Sequence, residues 1–219
     1  MRETVEVTGV VLGAQPVGDY DRRLVILTRE RGKITAFARG ARRPKSQLIA
    51  VTSPFVFARF SLFEGRDAYT LSTAEAAEFF LELTRKMPGV LYGYYFLELA
   101  SYYGREGIEA SEMVSLIYMS LKAILREKMS PDLVRRIYEL RMMTVNGDYA
   151  PPEEGREERY LTAGAAAALR YTAWCPIEKL FSFALSTEAE DAYCRAVSEA
   201  VRRTVDKSFK SLAVIDKMR

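Results

Sequence analysis

The chain has 219 residues, 49% of them hydrophobic and 28% charged, with a net charge of +3. That balance suits a soluble globular protein of one large or two small domains. No run of about 18 apolar residues offers a membrane span, and the opening MRETVEVTGV lacks the basic and apolar regions of a secretory signal. The sequence contains no histidine, which excludes imidazole acid–base catalysis, His-activated nucleophiles and His-containing metal sites.

The first 70 residues read as strands. TVEVTGVVLG alternates through Val5 and Val7 and then turns fully apolar. RLVILTRERGKITAFARG holds two β-rich runs around Arg29-Glu30-Arg31-Gly32, where the glycine supplies the positive φ of a hairpin. PFVFARFSLF is a third dense run, and EGRD turns into a short last strand, AYTL. About five short strands without a long helix between most of them suit a small closed barrel. Strand order and closure do not follow from the pattern.

At Ser72 the period changes. Ser72 and Glu75 have capping-box spacing, which places a helix start there. Helices are then expected over AEAAEFFLEL, VLYGYYFLELASYYG, SEMVSLIYMSLKAILREK, DLVRRIYELRMMTV, AGAAAALRYTAW and EAEDAYCRAVSEAVRRTVDKSF. Ser130 caps the fourth, with Pro131 in its first turn, and Asn146-Gly147 stops it. Thr187 and Glu190 repeat the capping-box spacing before the last. These readings divide the chain into a barrel over 1–72 and a helical domain over 73–219, with a short acidic, Pro-rich loop at 148–160.

Charge is unevenly spread. The first 70 residues carry a net +5 and the remainder −2, which suggests an anionic partner for the amino-terminal part. Arg39, Arg42, Arg43 and Lys45 fall within seven positions after a strand, with no carboxylate among them. One reading is contact with nucleic-acid phosphates; the other is a solvated loop whose charges aid solubility. Arg22, Arg23, Arg29, Arg31 and Lys33 enlarge the patch if the barrel brings them to the same side. In the third strand, Phe60 shares the parity of Val56, Ala58 and Leu62 and belongs to the core. Phe57 shares parity with Arg59 and Ser61, so it is the one aromatic there suited to stacking on a base. Arg135, Arg136 and Arg141 lie beside Tyr138 and Met142 on one helix. That mix suits an acidic, apolar-tipped peptide, or an ordinary outer face.

No phosphate loop, GxSxG elbow or Rossmann glycine pattern is present, so catalysis is not expected. Cys175 and Cys194 do not form a metal-type pair and fit a reduced, cytosolic setting.

Three stretches taken together resemble the bacterial recombination mediator family RecO: GDYDRRLVILTRERGKITAFARGARRPKS, YELRMMTVNGDYAP, and PIEKLFSFALS with the later FKSL. The resemblance implies an α+β protein, with an amino-terminal OB-fold barrel followed by an all-α domain. It implies a non-enzymatic, cytoplasmic role at the nucleoid in recombinational DNA repair. Such proteins bind single- and double-stranded DNA and anneal complementary strands. With RecR they load the recombinase onto DNA coated by single-strand binding protein, whose acidic C-terminal tail they contact. DNA would meet Arg22, Arg23, Arg29, Arg31, Lys33, Arg39, Arg42, Arg43, Lys45, Phe57 and Arg59. A partner protein would meet Arg135, Arg136, Tyr138, Arg141 and Met142. Many members carry a four-cysteine zinc module after the Gly–Tyr–Pro segment. Here Gly147-Asp148-Tyr149-Ala150-Pro151 leads into PEEGREERYLTAG without a cysteine, so no structural zinc is expected; a mediator that breaks no bond is also expected to need no cofactor and no small-molecule substrate. A protein adaptor without strong DNA binding, and an RNA-binding OB protein, are the alternatives.

Overall fold

The computed structural model describes residues 4–153 and 161–218. Five strands form its amino-terminal part: β1 (Thr4–Val17), β2 (Asp21–Thr28), β3 (Gly32–Ala38), β4 (Phe57–Phe63) and β5 (Tyr69–Glu78). They close into a barrel in the order β1-β2-β3-β5-β4. All neighbours are antiparallel except β3 and β5. A short helix, α1 (Leu48–Val51), lies between β3 and β4. This is the OB-fold arrangement that the sequence implied.

Alternation explains the barrel. Leu24, Ile26, Ile34, Ala36, Phe60 and Leu62 are fully or almost fully buried in one cluster with Val7, Val11 and Leu71. Each of the larger side chains contributes about 1.5–3 kcal/mol by leaving water. The long strand β1 serves both sides of the barrel because its register shifts between Val11 and Gly13, a bulge that lets it pair first with β4 and then with β2.

The helix expected from Ser72 is not there. Ser72 to Glu78 continue β5, with Ala74, Ala76 and Glu78 opposite Phe60, Ala58 and Phe57 of β4. Alanine and glutamate favour helices, but here pairing with β4 and burial of Ala74 and Ala76 against the barrel core override that weak preference. The barrel therefore extends beyond the boundary expected after Ser72.

The remaining elements are α2 (Leu81–Thr84), α3 (Gly89–Tyr103), α4 (Ser111–Arg126), α5 (Pro131–Val145), α6 (Ala163–Trp174), a 3-10 turn (Ile177–Lys179), α7 (Thr187–Thr204) and α8 (Lys210–Lys217). The chain divides into two compact units. One is Met1–Lys86 with Gly93–Val114; the other is Met87–Tyr92 with Ser115–Arg219. Of the loop expected at 148–160, residues 154–160 lie outside the described residues.

In the first unit, the β2–β3 turn is clamped by the chain that follows α3. Lys33 N–H donates to the Arg105 carbonyl at 3.0 Å, Gly107 N–H to Arg31 at 3.0 Å, and Ala110 N–H to Arg29 at 2.8 Å. In the second unit, α5 is the central helix and packs with α6 and α7. Ser130 accepts from Leu133 N–H at its start, as its position before Pro131 predicts. The α7 cap is Ser186, which accepts from Ala189 N–H, one residue before the expected Thr187.

Gly32 sits at φ +64°, and a Cβ there would lie 2.0 Å from the Arg105 carbonyl oxygen and 2.3 Å from that of Ile108. Both obstacles are backbone. Gly32→Ala is therefore expected to destabilise the protein by at least about 2 kcal/mol, since strain and a backbone clash add. Urea denaturation measures this, and an unchanged midpoint would show that the clamp is not needed.

Candidate nucleic-acid interface

The barrel sorts the amino-terminal cations into two sets at opposite ends of β2. At the Asp21 end, the β1–β2 turn meets the loop that follows β3. Asp21 Oδ1 accepts from Gly40 N–H at 2.7 Å, and Arg42 N–H donates to the Tyr20 carbonyl at 2.8 Å. Arg42 Nη1 also donates to the Gly18 carbonyl at 3.2 Å. The loop 39–46 is a series of tight turns, with Arg43 N–H bonded to Gly40 and Ser46 N–H to Arg43. Gly40 at φ +66° permits the first of them. Ala41 points inward and is fully buried in the barrel core. It anchors the loop, and the cations on either side of it project outward.

This end gathers Arg22, Arg23, Arg39, Arg42, Arg43 and Lys45. All but Arg22 are exposed, and Arg22 is half-buried, donating to the Ile49 carbonyl at 3.0 Å and Thr52 Oγ1 at 2.8 Å. Among the described residues, no carboxylate is ion-paired with any of the six. Lys45 stands at φ +66°, a strained conformation for a lysine, in the turns that lead to α1. Arg22 and Arg42 line a groove of about 220 Å³ with Ala14, Pro16, Ser53 and Pro54.

The other set does not join them. Arg29, Arg31 and Lys33 flank the β2–β3 turn at the far end and are held by the chain itself. Arg29 Nη1 donates to the Ser111 carbonyl at 3.3 Å, and Lys33 Nζ to that of Ser101 at 2.6 Å. Arg31 pairs with Glu64 at 3.3 Å and donates to the Tyr69 hydroxyl at 3.1 Å. Arg59 is exposed on β4, directly opposite Glu75 of β5 and Thr8 of β1. These four are placed apart from the cluster.

Phe57 is not a stacking platform. It is only 7% exposed, and its ring lies 5.5 Å from that of Phe80, which covers it. Strand parity placed Phe57 off the barrel core correctly, but the chain after β5 folds back over it. Two other aromatics border the cationic end. Phe37, half-buried, stands directly across from Arg23 on the outward side of the β2–β3 hairpin. Tyr20, 49% exposed, lies in the β1–β2 turn with the Arg43 guanidinium 5.5 Å from its ring centre. The signal for Tyr20 was its place in the turn Gly18-Asp19-Tyr20 before a strand, where an aromatic has no core to enter.

The arginines of α5 are structural. Tyr138 and Met142 are fully buried, and Arg135 and Arg141 nearly so. Arg135 pairs with Asp132 at 3.5 Å, while Arg136 donates to the buried Glu139 at 2.8 Å. Arg141 donates to the Thr172 carbonyl at 3.2 Å and to that of Ala173, satisfying acceptors left open where α6 ends. The five residues therefore do not form a peptide-binding face, because α5 is enclosed by its neighbours; only Arg136 is partly exposed.

Both cysteines are free. Burial raises the Cys175 thiol and pushes Cys194 up to about 11, so at neutral pH neither supplies a thiolate. Among the described residues no His, Cys, Asp and Glu group is arranged to hold a metal, and no helix is long and apolar enough to cross a membrane.

OB barrels commonly bind oligonucleotides or oligosaccharides, and this one gathers cations at one end beside an exposed aromatic. Residues 1–80 match the family described as "Recombination protein O N terminal". The chain is 26% identical to the DNA repair protein RecO of Acetivibrio thermocellus, over 96% of this chain and 96% of that protein. It is 35% identical to the protein of the same name from Alkaliphilus metalliredigens, over 65% of this chain and 58% of the relative. With that from Symbiobacterium thermophilum it shares 34% identity over 64% of this chain and 56% of the relative. Residues 1–80 thus carry the amino-terminal domain of the RecO family, and the chain is similar along almost its whole length to a DNA repair protein RecO.

Arg141→Ala is expected to cost about 2 kcal/mol of stability, because it leaves buried carbonyls at the end of α6 unpaired. A surface residue that met only a partner would cost under about 0.5 kcal/mol. Thermal denaturation of the isolated variant separates the two roles.

Proposed function

We propose that this chain is a non-enzymatic recombination mediator that holds DNA on the cationic end of its barrel. The observation that carries this reading is the gathering of Arg22, Arg23, Arg39, Arg42, Arg43 and Lys45, with no ion-paired carboxylate among the described residues, in a chain that carries the amino-terminal domain of the RecO family. Each cation that meets a phosphate releases a condensed counterion and reads no sequence. The half of the β2–β3 face near Leu27 and Lys33 is covered by the chain around Gly104, so the open half is the one beside Arg23 and Phe37.

Two complementary strands repel through their phosphates. A cationic surface that holds one strand while a second approaches lowers that repulsion, and base pairing supplies the selectivity. No bond is made or broken, so no cofactor is required. In this reading single- and double-stranded DNA both bind, annealing follows, and RecR and the acidic tail of single-strand binding protein meet surfaces other than α5. The setting is the bacterial cytoplasm, at the nucleoid.

The test is the salt dependence of oligonucleotide binding by the wild type and by a quadruple Arg39, Arg42, Arg43 and Lys45→Ala variant. On single strands the slope of log K against log salt should become shallower by about 0.7 for each phosphate that is no longer neutralised. Annealing should slow in parallel, whereas Arg31→Ala and Arg59→Ala should leave the slope unchanged. An unchanged slope in the quadruple variant would move DNA binding elsewhere. Absence of binding by the wild type would support a protein adaptor, and tighter binding of RNA of the same sequence would support an RNA-binding protein.

A further inference from the structure

The cationic end contains one group whose chemistry differs from the rest. Tyr20 is 49% exposed although its aromatic ring gains by leaving water, and it sits in a three-residue turn between β1 and β2. The turn is held in place. Gly18 at φ +53° opens it, the Gly18 and Tyr20 carbonyls accept from the Arg42 side chain and backbone N–H, and Asp21 holds Gly40 N–H. The ring is therefore presented by pinned backbone. The Arg43 guanidinium lies 5.5 Å from the ring centre, within cation–π range. Arg22 and Arg42 also line the groove at this end of the barrel, Arg42 bonded to Gly18 in the turn and Arg22 to Ile49 and Thr52 at α1.

We infer that Tyr20 is a base-stacking residue that gives this surface a single-strand mode distinct from its phosphate-holding mode. The inference rests on the DNA-binding reading above and adds to it the ligand class of one position: an unpaired nucleobase. A base in a duplex is stacked on its neighbours and presents no face, whereas an unpaired base can lie on the tyrosine ring while its phosphates meet Arg42, Arg43 and Lys45. Arg43 serves both partners, since a guanidinium over an aromatic ring keeps donors at its edge for a phosphate oxygen. Stacking is sequence-tolerant because every base has a π-face.

The test measures binding of three ligands of equal length, at several salt concentrations: oligo-dT, an abasic strand with the same sugar–phosphate backbone, and a duplex. Wild type should bind oligo-dT more tightly than the abasic strand. Tyr20→Ala should weaken oligo-dT about tenfold at every salt concentration without changing the slope, and leave abasic and duplex affinities unaltered. Tyr20→Phe should retain the preference for bases. Tyr20→Leu, which keeps bulk without a π-face, should lose it as alanine does. Equal losses on all three ligands, undiminished oligo-dT binding by Tyr20→Ala, or a leucine variant that behaves like wild type would each overturn the stacking role. In those cases a normal salt slope would leave the DNA-binding reading standing, whereas failure of the wild type to bind any ligand would overturn that reading itself.

Discussion

Strand β2 is eight residues long, and it sets what the cations can do. At roughly 3.3 Å per residue, Arg22 and Arg29 are separated by about 23 Å of strand, so no single surface at one end of the barrel holds both. The ten basic residues from Arg22 to Arg59 therefore resolve into one gathered set and several isolated ones. The gathered set is built by two backbone-directed bonds, Gly40 N–H to Asp21 and Arg42 N–H to Tyr20, that tie the loop after β3 to the β1–β2 turn. Buried Ala41 completes the anchoring from inside.

The far end of the same hairpin shows what cations do when the chain itself supplies their partners. Arg29 and Lys33 donate to backbone carbonyls, and Arg31 meets Glu64 and Tyr69. There their side chains tie the hairpin to Ser101, Ser111 and the turn between β4 and β5, while Gly32 lies against the backbone of the segment after α3 without room for a methyl group. The α5 arginines follow the same logic in the second unit, where guanidinium groups satisfy Asp132, Glu139 and the carbonyls at the end of α6. Arginine is thus used in two ways in this molecule, and only its surroundings distinguish them.

Those surroundings decide what was legible in the sequence. The five strands and their inward faces followed from alternation, because parity is a local property, and Phe60 and Leu62 are buried as expected. Ser130-Pro131 and Asn146-Gly147 marked the ends of α5 because capping and positive φ (+80° at Gly147) are local too. Ser72 to Glu78 misled, since a capping-box spacing and helix-favouring residues say nothing of an open β4 edge that needs a partner. Phe57 misled for a related reason: its strand face was read correctly, but Phe80 arrives from beyond the next strand to cover it. Tyr138 and Met142 were placed on the right helix, yet how completely α6 and α7 enclose that helix is a tertiary fact with no trace in its own sequence. The basic run after β3 was visible, whereas its association with Arg22, Arg23 and Tyr20 required the barrel.

We propose that polyanion contact is confined to the Asp21 end of β2. Arginine-specific chemical labelling, read residue by residue by mass spectrometry with and without a single-stranded oligonucleotide, tests it most directly. DNA should protect Arg23, Arg39, Arg42 and Arg43 and leave the labelling of Arg31 and Arg59 unchanged. Protection centred on Arg31 or Arg59, or none at the loop after β3, would contradict it.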